Sequence, residues 1–333
     1  MTAATDFGRR RHLIAGLGAL GLGTALGLRP VRAATDYPNR PIRIIVPWAA
    51  GGGGDVVVRL LATGIGERLG QPVVVDNRGG ATGTIGSAIA AKSAADGYTL
   101  VYGSADSHSI VPHLYKTLPY DARRDFTAVA PIGFFPYALA VHPSLPARNV
   151  AEFVQLAKAA KERLTYGSWG VGSSGQVMVE SLKLQAGVDL LHVPYQGTAP
   201  LMMGLVAGQV NSAILPMPLV EQHAKSGAIR LLGLTSYERL PGMPDLPTMK
   251  EQGVALDSGI WVGFMGPANL PADVLDKIHA AIEATVSDAR MQDALRKLYV
   301  LPEVKAQPAY QAFINGEYDR WGKIIQAAKI TLE

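Results

Sequence analysis

Between residues 42 and 102 the chain alternates short β-branched runs with longer amphipathic ones, and glycine clusters sit at the junctions. Ile42-Arg43-Ile44-Ile45-Val46 is short and branched, which favours a strand. Gly51-Gly52-Gly53-Gly54-Asp55 follows, then Val56 to Leu69 with helical spacing that stops at Gly70. Pro72 to Asp76 reads as a second strand, Thr84 to Ala91 as a helix and Thr99 to Tyr102 as a third strand. This βαβαβ order predicts a parallel sheet flanked by helices. A second unit of the same kind follows Pro143. Helices over 150–163, 176–186, 200–207 and 219–226 alternate there with strands over 164–166, 190–194, 211–215 and 229–234. Two more helices, 272–287 and 308–329, end the chain. The expected fold class is α/β, with two lobes, each a mainly parallel sheet flanked by helices, and a cleft between them. Ligands of such sheets bind outside the carboxyl ends of the strands, where the glycine clusters fall.

Net charge bears on partners only after the N-terminus is considered. The 333 residues carry a formal charge of +4, which would suggest a polyanionic partner. Residues 1–33 hold five arginines (Arg9, Arg10, Arg11, Arg29, Arg32) against Asp6. Leu13 to Leu28 is apolar and uncharged, and Val31-Arg32-Ala33 ends the segment with small residues at −3 and −1. These features describe a secretory signal peptide cut after Ala33, and the paired arginines favour the twin-arginine route. The apolar stretch is shorter than the roughly 20 residues a spanning helix needs. Without this leader the chain is formally neutral and has no basic stripe, so no nucleic-acid partner is expected. The absence of Cys excludes disulfides, thiolate metal sites and cysteine nucleophiles.

Three strand ends open into glycine-rich loops. At Pro47 to Asp55 successive glycines can turn several N–H groups toward an anion, and the following helix adds its positive N-terminal end. Asp55 is expected to cap that helix. The second loop, Gly167 to Gly175, contains Gly170-Val171-Gly172-Ser173-Ser174-Gly175, a G-x-G-x-x-G match. The acidic residue a dinucleotide fingerprint needs at the end of the next strand is missing, since His192-Val193-Pro194 stands there. No cofactor is therefore expected, and Ser168, Ser173 and Ser174 read as neutral donors beside a helix start. The third loop, Asn77 to Thr84, either cradles a ligand or turns the chain. Trp48 and Trp169 either wall a pocket or fill the core, whereas Trp261 reads as core.

Catalytic constellations do not assemble. No phosphate loop, H-E-x-x-H or G-x-S-x-G motif occurs, and the histidines after the leader are scattered; His192 reads as a satisfied core residue. No metal site and no enzyme activity are expected. A doubly wound nucleotide-cofactor oxidoreductase, or a receptor feeding a membrane signalling protein, are the alternatives.

Several segments, in order, resemble one known family. They are Tyr37-Pro38-Asn39-Arg40-Pro41-Ile42, the Gly51 to Asp55 loop, Asp76-Asn77-Arg78-Gly79-Gly80, Ala95-Asp96-Gly97-Tyr98, Tyr166-Gly167-Ser168, His192-Val193-Pro194-Tyr195-Gln196-Gly197, Ala207-Gly208-Gln209 and Leu246-Pro247-Thr248. Together they resemble the extracytoplasmic solute receptors of the tripartite tricarboxylate transporter system, the Bug group. The resemblance covers nearly all of residues 38–325. It implies a type II-like periplasmic-binding-protein fold, with lobe 1 over 34–135 plus 251–333 and lobe 2 over 136–250. It also implies a monomeric periplasmic receptor that closes on a small carboxylate-bearing solute, hinging near Phe134 to Ala138 and Ser236 to Gly253, and delivers the solute to a membrane permease. The family's binding loops fall on Ala50, Gly51, Gly52, Gly53 and Asp55, on Ser168, Trp169, Gly172, Ser173, Ser174 and Gln176, and on Tyr195, Gln196 and Thr198. Trp48 joins them as a candidate wall.

Some positions depart from the family pattern. Gln176 stands where the family often has His, and Gln196 where it often has Lys or Arg. These departures remove charge near the expected pocket and favour a monocarboxylate or amide-bearing ligand. Mass spectrometry of the exported protein is expected to give Ala34 as the first residue; a product retaining residues 1–33 would refute the leader.

Overall fold

The computed structural model describes residues 37–256 and 259–331; the leader and its cleavage site lie outside the described residues. The chain runs β1 (Ile42–Val46), α1 (Gly53–Leu69), β2 (Val73–Asn77), α2 (Thr84–Ala91), β3 (Thr99–Ser104), β4 (Phe126–Phe135) and β5 (Tyr137–Val141). It continues α3 (Val150–Ala159), β6 (Thr165–Ser168), α4 (Ser174–Ala186), β7 (Leu191–Pro194), α5 (Thr198–Val206), β8 (Ser212–Pro216), α6 (Met217–Lys225) and β9 (Arg230–Leu234). The last elements are β10 (Ile260–Pro267), α7 (Ala272–Ser287), α8 (Ala289–Lys297), β11 (Leu301–Pro302) and α9 (Gln307–Ala327).

Two sheets result, ordered β11-β4-β10-β3-β1-β2 and β7-β6-β8-β5-β9. Ile42, Ile44 and Val46 pack with Val57, Leu61 and Ile65 of α1 and Ile278 and Ile282 of α7 on one face of the first sheet. Ile45 and Val101 join Tyr310, Ile314 and Trp321 of α9 in the cluster on the other. Burial on both faces explains why β1 is apolar except at Arg43, which is partly exposed and pairs with Asp76 (3.6 Å).

The α/β class with two lobes holds: most strands of each sheet run one way, and a minority run against them, so both sheets are mixed. β1 pairs parallel with β2 and β3, and β6 parallel with β7 and β8. β10 runs antiparallel to both its neighbours, and so does β5. The cause is the path between sheets. The chain leaves the first sheet at the carboxyl end of β4 and enters the second one residue later as β5. It returns after β9 as β10. A strand that enters from the side where the others end must run against them.

The two crossings lie side by side. Thr235 N–H donates to the Tyr137 carbonyl (2.8 Å) and Tyr137 N–H to the Thr235 hydroxyl (3.1 Å). At Gly259 an added Cβ would stand 2.2 Å from the Phe135 carbonyl oxygen, a backbone atom with little room to retreat. Gly259→Ala is expected to cost about 1–3 kcal/mol through this overpacking, read as a lower melting temperature. An unchanged melt would show that the crossings are looser than described.

Candidate functional site

After β1 the chain turns through Pro47 to Ala50 and starts α1 with Gly52 as N-cap; no side chain caps it. The first-turn N–H groups of Gly53 and Gly54 therefore have no intrahelical acceptor. Asp55 is not the cap. It lies in the first turn, buried, and its carboxylate braces the loop from behind. Gly51 N–H donates to Asp55 Oδ2 (2.8 Å), Arg59 Nε donates to the same oxygen (3.0 Å), and Asn77 Nδ2 donates to Oδ1 (3.0 Å). The Arg59 hydrogen bond first, then those of Gly51 and Asn77, hold the Asp55 carboxyl below its ordinary range against the opposing effect of burial.

The second lobe presents three helix starts. At α4 the Ser173 side chain caps by accepting from Gln176 N–H. Ser168 Oγ lies 2.7 Å from His192 Nε2, and Gln176 Nε2 lies 3.3 Å from His192 Nδ1. Gln176 Oε1 also accepts from Gly172 N–H (2.7 Å). His192 is thus satisfied as expected, but it lies half-buried in the edge strand β7 and not in the core, and it occupies the polar groups around it. Trp169 lies over the first turn of α4, where a Cβ on Gly175 would come within 2.3 Å of its ring; only glycine lets the indole approach so closely. At α5 the N-cap is Gly197, at α6 Pro216, and neither start has a side-chain cap.

Between the lobes these elements enclose a cavity of about 530 Å³. Trp48, Tyr102, Phe135, Tyr137 and Trp169 supply aromatic walls, Ile260 and Val262 an apolar floor. Gly52, Gly53 and Gly54 of α1, Thr198 of α5 and Pro216, Pro218 and Leu219 of α6 bring helix starts to it. Thr82, Ser104 and Asp106 add polar groups; among the described residues no Lys, Arg or His lines it. Helix N-termini carry a partial positive charge, so the cavity can hold an anion without a basic side chain.

Asp106 departs from that pattern. Its Oδ1 is buried and has no hydrogen-bond partner. Burial pushes the carboxyl above its ordinary range, and the hydroxyl and N–H of Ser174 offset this only in part. His108, two residues on, is fully buried and its pKa falls to about 3, so it supplies no positive charge. Burial also raises the Tyr102 and Tyr137 hydroxyls, which stay neutral.

Of the residues singled out in the sequence, Trp48, Gly52, Gly53, Trp169 and Thr198 line the cavity. Trp261 is core, with its indole N–H donating to Ser109 Oγ (3.2 Å). Ala50 and Gly51 are exposed in the turn before α1. Asp55, Ser168, Gly172, Ser173 and Gln176 are spent on bracing the loops, and Ser174 faces Asp106. Tyr195 packs on Gly204, and Gln196 is exposed. Gly54, part of the first glycine loop, lines the cavity too. Tyr102, Ser104, Asp106, Phe135 and Tyr137 were not anticipated. All lie near or just past carboxyl ends of strands or at the crossing, so the strand-end rule applied to β3 and β4 would have reached them.

A family described as tripartite tricarboxylate transporter family receptor matches residues 57–330. A UPF0065 protein of Bordetella pertussis is 33% identical over 88% of this chain and 91% of its own length. BugT of the same organism is 32% identical over 89% of this chain and 91% of its own. The structure of R. palustris Rpa4515 with adipate superposes with a TM-score of 0.78 at 32% identity, covering 89% of this chain and all of that one. MatC of Rhodopseudomonas palustris, solved with bound malate, gives 0.72 at 29% identity over 87% of this chain and all of that one.

Asp55→Ala is expected to lower stability by about 1–3 kcal/mol at neutral pH, because Gly51, Asn77 and Arg59 lose their acceptor. The native carboxyl titrates below its unfolded value of about 3.9, so its contribution is present above that pH and lost as pH falls through the native value. Denaturant unfolding at several pH values checks this. A difference between variant and parent that does not shrink below pH ~4 would refute the brace.

Proposed function

The chain belongs to the tripartite tricarboxylate transporter receptor family, in its Bug group, and on that premise we propose that it delivers a small carboxylate-bearing solute to a membrane permease of that system. It is a periplasmic solute-binding receptor and not an enzyme. The observation that carries the carboxylate reading is the convergence of uncapped helix starts on a cavity with no basic side chain among the described residues. The N–H groups of Gly53 and Gly54, with the start of α5 opposite, are the proposed carboxylate grip. Adipate and malate in the two structural neighbours support a carboxylate of modest size.

We take lobe 1 as residues 34–135 plus 251–333 and lobe 2 as 136–250, a division supported by sheet membership. Closure would turn at the two crossings, where Tyr137 and Thr235 hydrogen-bond and few residues carry the chain across. Release into a permease, a mature N-terminus at Ala34 and a monomeric receptor complete the proposal.

A thermal-shift screen of carboxylates followed by calorimetry tests it. Ligand at 100 times its Kd adds about 2.7 kcal/mol to stability. Gly53→Val is the companion variant. A Cβ there meets only the Phe135 ring, at 3.9 Å, so the fold should survive while the valine crowds the grip. Binding is expected to fall at least about tenfold, a loss of about 1.4 kcal/mol. Undiminished binding by Gly53→Val would refute the grip, and a screen in which only non-carboxylate anions shift the melt would refute the solute class.

A further inference from the structure

The most unusual group in the cavity wall is a carboxylate in a site built for anions. Asp106 is the first residue of a short helical segment after β3, with Ala105 before it already in helical conformation. It lines the cavity and keeps Oδ1 buried without a hydrogen-bond partner. A buried acceptor left unpaired is costly, and a buried charge normally has a counter-charge. No Lys, Arg or His among the described residues lines the cavity, and the imidazole of His108 is neutral. Ser174 brings one hydroxyl and one N–H, both uncharged. The same wall holds Trp48, Tyr102, Phe135, Tyr137 and Trp169, and the faces of such rings attract cations.

We infer that the cavity selects a carboxylate ligand that also bears a cationic nitrogen, and that Asp106 is the specificity residue that pairs with it. The inference rests on the carboxylate reading above and refines it. The ligand's carboxylate lies at the helix starts of Gly53 and Thr198, and its ammonium lies between Asp106 and the aromatic faces. An ammonium in the cavity pairs with the part of the Asp106 carboxyl that lines it, giving the buried group the counter-charge it lacks through a charge-assisted hydrogen bond. A second ligand carboxylate at that end would meet Asp106 as a like charge, which disfavours dicarboxylates. A protonated Asp106 donating to such a carboxylate would give the opposite selectivity, so the two arrangements separate by experiment.

Two sets of acids matched in shape make the test, titrated into the purified protein by calorimetry. One set is γ-aminobutyrate, butyrate and succinate; the other is phenylalanine, hydrocinnamate and phenylsuccinate. In at least one set the nitrogen-bearing acid is expected to bind about tenfold or more tighter than both partners. Asp106→Asn keeps the shape and removes the charge, and it is expected to reduce that preference to within about threefold. Its melting temperature should not fall, because an unpaired buried carboxylate has been removed. The inference is overturned if the plain acid or the diacid binds best in both sets, or if Asp106→Asn retains the preference. Either result leaves the carboxylate receptor standing. If no acid in either set binds, and a wider carboxylate screen is also silent, the reading of the site as a carboxylate receptor falls and takes the inference with it.

Discussion

Everything at the cavity follows from where the chain crosses between sheets. Because β4 leaves the first sheet at its carboxyl end and β10 returns at the same side, strands β1, β2, β3, β6, β7, β8 and β9 all end facing the other lobe. Each strand end is followed by a loop and, in five cases, by the N-terminus of a helix. Backbone donors are thereby gathered from both lobes by the short loops that lead into those five helices. The antiparallel strands β5 and β10 are the cost of this arrangement, and they are buried in the interior of their sheets.

Two aspartates show how the same side chain serves opposite ends. Asp55 is surrounded by donors from Gly51, Arg59 and Asn77; its charge is fully used, and what it gains is the shape of the first loop. Asp106 also keeps a carboxylate oxygen from water, but its neighbours, Ser174 and the Tyr102 and Tyr137 hydroxyls, are all uncharged. Burial acts on both carboxyls in the same direction. Hydrogen bonding decides the outcome, lowering the first and leaving the second raised.

Legibility in the sequence followed the same division. Where burial on one pattern decided structure, residues spoke plainly: β1, α2 and α7 fall where their periodicity placed them. The ten-residue β4 did not, because Pro131 and Gly133 interrupt it. In the fold both sit at a register shift against β10, where Gly263 pairs with Pro131 after Val262 pairs with Gly133, so the missing proline donor is tolerated. The first glycine loop was legible as a helix start, but its polar residues were not legible as braces. Ser168 and Gln176 could equally have faced a ligand, and only the position of His192 between them assigns them to the loop. Asp106 carries no local signal at all, since what singles it out is the absence of a partner in three dimensions.

The uncapped helix starts have a consequence for how the receptor can change over generations. A grip made of main-chain N–H groups is encoded by no particular side chain, so most point substitutions leave it in place. The five aromatic residues and Asp106, by contrast, are each one codon away from altering the wall. A receptor that grips as proposed keeps hold of one chemical handle while its wall is free to change.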